Sequence, residues 1–193
     1  MPELEIPGPT PLVDAVCAHL RESFAGADLE TLRRDEGLVR NLAELAVVRV
    51  AWSGGVFAYV SAGAAAEPME EGYGLEFFVV AREADDEIAR LLAMVAQLHG
   101  DPRYPLSLGQ VIEIGHPWLA GSSCDHLLVC LPGPFGDDFE WLSTRERTVR
   151  FVWLLPITRA EAELVRAQGM GPLQEKLGTA GVDVAARSRD SVV

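Results

Sequence analysis

The run of residues 74–82, Gly-Leu-Glu-Phe-Phe-Val-Val-Ala-Arg, is apolar at consecutive positions rather than alternate ones. Successive side chains of a strand point to opposite faces, so this pattern predicts a central strand buried on both sides. Residues 46–52 and 56–60 are rich in β-branched and aromatic side chains around Ser53-Gly54-Gly55, which predicts a β-hairpin before it. After it, Asp85 and Asp86 open a helix whose Ile88, Leu91, Leu92, Val95 and Leu98 keep a 3.6-residue period until Gly100 and Pro102.

The flanks add further elements. Thr10-Pro11 followed by Leu12, Val13, Val16, Cys17 and Leu20 predicts a first helix ending near Phe24. Residues 29–42, with Arg33, Arg34, Asp35 and Glu36, fit either a short helix or a loop. Residues 105–115 carry Leu106, Leu108, Val111, Ile112 and Ile114 and lead into a loop at 115–122. A buried strand at 126–131 ends at Pro132-Gly133-Pro134, and another at 149–155 runs to Pro156. Thr158 and Glu161 have capping-box spacing, so a helix begins at Arg159 and ends near Gly169. The absence of a βαβ rhythm predicts an α+β fold, a mixed, largely antiparallel central sheet flanked by helices. At 193 residues the expectation is one domain over 1–193, with 1–44 a helical lead-in and 45–193 carrying the sheet and helices.

Charge narrows the partners. The formal net charge is −13, from 29 acidic and 16 basic residues, and Lys176 is the sole lysine. Such a surface repels phosphate backbones and anionic headgroups, which argues against nucleic acid and membrane, while excess carboxylate also keeps a protein soluble with no partner implied. Cys17, Cys124 and Cys130 form neither a disulfide framework nor a CxxC pair and read as buried thiols. The start of the chain, with Glu3, Glu5 and prolines at 2, 7 and 9, does not look like a signal peptide, and the apolar region 45–66 is interrupted by Arg49, Ser53, Gly54 and Gly55. A cytoplasmic protein without a cofactor is expected.

One cluster, His116, Cys124, Asp125 and His126, holds a candidate nucleophile and bases, and a small hydrolase built on His116, Cys124 and His126 is the rival reading. No Gly-x-Ser-x-Gly elbow, His-x-x-x-His pair or phosphate loop accompanies it. Neighbouring strand residues face opposite ways, which separates Cys124 from Asp125, and His116 before Pro117 suits a backbone-bonded imidazole in a turn. Trp153, in an unbroken apolar run, is expected in the core. Trp118, in a loop, and Trp141, beside Asp137, Asp138 and Glu140, are the candidate surface anchors. The acidic segments 67–71 and 137–140 would steer a basic partner. The candidate binding residues are thus Trp118, Asp137, Asp138, Glu140 and Trp141.

Several of these patterns occur together in a recognisable order: Gly74-Leu75-Glu76-Phe77-Phe78 before a long helix; Pro105-Leu106-Ser107-Leu108-Gly109 leading to Ile114-Gly115-His116-Pro117-Trp118; and Asp125-His126-Leu127-Leu128. Trp153-Leu154-Leu155-Pro156-Ile157-Thr158 and the ending Arg187-Ser188-Arg189-Asp190-Ser191-Val192-Val193 follow. The ordered set resembles the bacterial suppressor-of-fused-like domain family. The resemblance implies an α+β domain similar to the N-terminal domain of animal suppressor of fused, which restrains a transcription factor by binding rather than chemistry. In the animal protein a partner strand lies in a cleft between two domains, and a chain of this length has no room for the second. Bacterial members resemble immunity proteins, so neutralisation of a basic toxin domain is the sharpest expectation. Asp190 departs from the family, where proline precedes Ser-Val, which leaves the path of the tail open.

Overall fold

The computed structural model describes residues 11–32, 45–52, 54–66, 69 and 71–193. Pro11, whose fixed φ suits a first helical turn, opens α1 (Pro11–Ser23), and Val13, Val16, Cys17 and Leu20 form its buried stripe, continued by Phe24 in the turn that follows. The undecided stretch contributes a strand, β1 (Asp28–Leu32), a correction to both readings; residues 33–42 lie outside the described residues. Thr31 is the one β-branched residue of β1, so pairing decides its state: β1 adds antiparallel to β2 (Ala46–Trp52), with Glu30 directly opposite Arg49 and ion-paired to it. The hairpin expected around residues 53–55 closes β2 onto β3 (Val56–Ala62).

The doubly apolar run is β4 (Tyr73–Ala81), which lies between β3, antiparallel, and β8 (Thr148–Ile157), parallel. Beyond β8 come β6 (His126–Cys130) and then β5 (Val111–Glu113), both antiparallel, while β7 (Trp141–Ser143) pairs with the first residues of β8. Among the described residues the eight strands run in the order β1-β2-β3-β4-β8-β6-β5, with β7 beside β8. Seven pairings, six of them antiparallel, make the sheet mixed and largely antiparallel as expected.

Alternate residues of β4 and β8 enter two separate cores. On one face Leu75, Phe77 and Val79 with Val152 and Leu154 pack under α2 (Asp86–His99) and the segment holding Leu106, Trp118, Leu119 and Cys124. On the other, Phe78, Val80, Phe151 and Trp153 pack under α1, α3 (Asp137–Glu140), α4 (Arg159–Gln168) and α5 (Met170–Ala180). A one-residue slip of β4 would put Glu76 in the place of a fully buried phenylalanine, each worth about 1.5–3 kcal/mol of burial, so the register is fixed. The Asp85 cap of α2 and the Thr158–Glu161 capping box of α4 stand where the spacing put them.

The sequence Gly74-Leu75-Glu76 has a tertiary reason. A turn at Ala64–Ala66 leans on β4 so closely that a Cβ on Gly74 would lie 2.6 Å from Ala65 O. Glu76, fully buried, receives the N–H groups of Gly63 (2.8 Å), Ala65 (3.1 Å) and Ala64 (3.3 Å) and the Ser61 hydroxyl, while Arg147 Nη1 donates to Ala65 O and Ala66 O, both at 2.9 Å. The irregular turn therefore has its amides answered by the Glu76 carboxyl and two of its carbonyls by the Arg147 guanidinium. Gly74→Ala is expected to cost about 1–3 kcal/mol, because the obstruction is backbone that cannot swing aside. An unchanged denaturant midpoint would show that the turn yields freely.

β5 is shorter than its apolar sequence suggests. Gly109, at φ +84°, donates its N–H to Val129 O (2.8 Å), and Val129 N–H returns to Gln110 O (2.9 Å). Two residues thus face one, a bulge that shifts the ladder and leaves three residues in strand geometry. In β8, Pro156 continues the strand instead of ending it; its carbonyl is turned to Arg189 at 3.2 Å, so its missing N–H lies on the side where β4 no longer pairs. No helix among the described residues is long and apolar enough to cross a membrane.

Candidate partner-binding site

The acidic segment at 137–140 forms the single turn α3. Asp137 and Asp138 are exposed and have no ion-pair partner among the described residues, while Phe139 turns into the core. Glu140 is buried and bonded to Arg150 Nε (2.8 Å) and Nη2 (2.6 Å), so it serves as a clamp and not as a free rim charge. The clamped guanidinium lies 4.7 Å from the centroid of Trp141, which β7 places opposite Arg150, and Tyr73 meets the same indole edge-on at 5.4 Å. Trp141 remains 39% exposed on this rigid support. Of the other acidic segment, Glu71 is exposed, and residues 67 and 70 lie outside the described residues.

Trp118 does not present its ring at the surface. It is 2% exposed, and its Nε1 donates to Arg187 O at 2.9 Å. The C-terminal segment folds back over the loop and covers it, a contact between residues 69 positions apart that no local pattern reveals. Trp153 is buried as expected, whereas Trp52, at the end of β2, is 42% exposed and was not a candidate.

His116, Cys124 and His126 do not form a catalytic constellation. His116 is exposed and donates from Nδ1 to Pro117 O (2.8 Å), the backbone-bonded role its turn suggested. Cys124 is buried, and burial raises its thiol above the ordinary value, the reverse of what activates a nucleophile. His126, inside β6, donates from Nδ1 to Asp125 Oδ1 at 2.6 Å; the two neighbours meet because Asp125 precedes the strand and is free of its alternation. Burial raises the Asp125 carboxyl, but hydrogen bonds from His126 and Arg159 outweigh it and hold the group below its usual range. No hydrogen bond among the described residues joins the thiol to either imidazole. The other thiols are buried too, Cys130 being raised to about 12 by burial.

A different feature has the form of a binding site. Between α2 and β5 runs a groove of about 450 Å³, floored by Leu91, Val95, Ile112, Ile114 and Leu127. Met94 and Tyr104 on its walls are 54% and 53% exposed, and Leu98, expected in the helix stripe, is exposed as well. β5 is an edge of the sheet. Ile114 N–H bonds Asp125 O at 3.1 Å and Val129 N–H bonds Gln110 O, so the alternation of an antiparallel ladder turns the main-chain groups of Val111 and Glu113 outward. Apolar wall, open edge and the acidic Asp101 and Glu113 at the rim lie together. The sequence signal was faint: Met94 and Leu98 widen the apolar stripe of α2 beyond the arc its own core fills.

The family model for suppressor of fused protein matches residues 42–190. The chain belongs to the suppressor of fused family. Among solved structures it is similar to a suppressor of fused homolog from Neisseria gonorrhoeae, 30% identical over 94% of this chain and 97% of that one, with a TM-score of 0.83. The chain of a Sufu-Fu complex shares the fold at 17% identity and TM-score 0.75, covering 96% of this chain and 93% of that one. Drosophila Suppressor of Fused shares it at 16% identity and TM-score 0.65; 95% of this chain aligns with 52% of that one, about half its length. No curated protein matches. The suppressor of fused match runs from residue 42 to residue 190; in the C-terminal segment Arg187 bonds Glu83 and Asp85, Ser188 bonds Ser123, Arg189 grips Glu161, and Ser191, just past the match, meets Thr158.

Proposed function

We propose that this suppressor of fused domain is a non-enzymatic protein-binding domain that takes an extended segment of its partner along the open edge of β5. The observation that carries the reading is the coincidence of an unpaired strand edge with an apolar groove. A strand added there would pair with the outward groups of Val111 and Glu113, and its alternate side chains would enter between Ile112, Met94 and Leu98. The Sufu-Fu complex, a protein of the same fold crystallised with a partner, supports binding as the task. The net charge of −13 and the exposed Asp137 and Asp138, without ion-pair partners among the described residues, favour a basic partner, and neutralisation of a basic toxin domain in the cytoplasm is the sharpest form of this reading. We further take residues 1–193 to act as one domain.

The test starts with extended peptides selected on the protein from a displayed random library. Met94→Lys should weaken the selected peptides at least about tenfold, roughly 1.4 kcal/mol, by charging the groove wall. Glu113→Pro, which removes an outward N–H and leaves the inward ladder intact, should do the same. His116→Ala and Cys124→Ser should leave affinity within a few-fold. Peptides indifferent to both groove substitutions would refute the site, and a turnover activity abolished by Cys124→Ser would refute the non-enzymatic reading.

A further inference from the structure

On the face opposite the groove, Trp52 lies against a cluster of aromatic rings. Its indole meets Phe24 edge-on at 5.4 Å and Phe135 at 6.1 Å. Phe135 in turn contacts Phe78 (5.3 Å), Phe139 (5.5 Å) and Trp153 (5.9 Å). Val56, across the β2–β3 ladder from Trp52, and Phe135 are each partly exposed at the edge of this core. Asp137 and Asp138 follow Phe135 within three residues, exposed and without ion-pair partners among the described residues. Beneath Phe135, Trp153 is buried and its Nε1 has no hydrogen-bond acceptor among the described residues, an uncommon condition for a buried donor.

We propose that Trp52, Val56 and Phe135, with Asp137 and Asp138 at their rim, form a second contact face for a basic protein surface that inserts an apolar side chain beside Phe135. Exposed aromatics held by other rings lose little entropy on binding, which is why such residues anchor interfaces. Two exposed carboxylates next to them, on a chain of net charge −13, select cationic surroundings for the inserted side chain. The aspartates then set the association rate and its salt dependence, and the aromatic anchor sets dissociation. The face rests on the basic-partner reading and is independent of the β5 groove.

The probe is a synthetic lysine-rich peptide with one central leucine, compared with a control carrying serine in its place, titrated into the ¹⁵N-labelled full chain. Saturable binding is expected below about 1 mM, with shifts of the Trp52 and Trp153 indole N–H resonances and at least about tenfold weaker binding of the control. Trp52→Ala should weaken the leucine peptide at least tenfold. Asp137→Asn with Asp138→Asn, at exposed positions, should flatten the salt dependence, and Met94→Lys should change nothing. No saturable binding, equal binding of the control, or indifference to both the Trp52 and the aspartate substitutions would overturn the proposal. Loss of binding with Met94→Lys alone would assign the peptide to the groove and overturn the second face while sparing the first.

Discussion

Replacing Arg189 by alanine should destabilise the protein by about 3–5 kcal/mol, the usual cost of stranding one member of a buried ion pair. Arg189 Nη1 and Nη2 hold Glu161 Oε1 and Oε2 at 2.6 and 2.7 Å, and both side chains are almost completely removed from water. Glu161 also receives Thr158 N–H (2.9 Å) in the capping box of α4 and Val192 N–H (3.0 Å) from the tail. Burial raises the Glu161 carboxyl, yet the hydrogen bonds from Arg189 and these amides outweigh it and hold the group below its ordinary value. Its contribution is therefore present above the normal carboxylate range and lost as pH falls beneath it. Replacing both residues with methionine should recover most of the loss, leaving about 1 kcal/mol for the missing cap. Urea denaturation of the two variants decides the matter: a cost under about 1 kcal/mol for Arg189→Ala would mean that solvent reaches the pair.

Glu76 should give stability the opposite pH dependence. Burial raises its carboxyl to about 7, although Ser61 and the amides of Ala65, Gly63 and Ala64 all favour the ionised form. Between its ordinary value of 4.5 and about 7 the native state binds the proton more tightly than the unfolded chain, so stability falls as pH rises through that window. At about 1.4 kcal/mol per pH unit the difference amounts to about 3 kcal/mol. The proton has a place to go, because the Ser61 hydroxyl can turn to accept it at Oε2 while Oε1 keeps the amides of Gly63 and Ala65. Glu76→Gln, a permanent imitation of the protonated group, should flatten the slope between pH 4.5 and 7. Glu76→Ala, which strands three amides, should cost at least about 3 kcal/mol throughout. An identical slope in wild type and Glu76→Gln would exclude Glu76 as its source.

The local elements were largely legible because short-range physics decides them. The Thr158–Glu161 box, the Asp85 cap, the apolar period of α2 and the doubly apolar β4 each encode their state within a few residues. Where local preference is weak, the sequence was silent. β1 becomes a strand only by pairing with β2, and α5, with Gly171, Pro172 and Gly178 in its sequence, is a helix because Leu173 and Leu177 are held in the core. β7 has three residues, too few for a period to show.

The candidate site divides along the same line. Acidic character at Asp137 and Asp138 and the exposure of Trp141 follow from charge and from turn residues nearby. The burial of Trp118 beneath Arg187, the capture of Glu140 by Arg150 and the exposure of Trp52 depend on side chains brought together from distant parts of the chain. The β5 groove is decided later still: whether Met94, Leu98 and Ile112 face a neighbour or open space depends on which strand ends the sheet. Composition and periodicity determined an acidic α+β chain with a doubly covered central strand, and the ordered series of short motifs carried its resemblance to the family. Only the tertiary structure decided which apolar residues the core consumes and which it leaves at the surface, because burial is a property of the completed packing and not of any one segment.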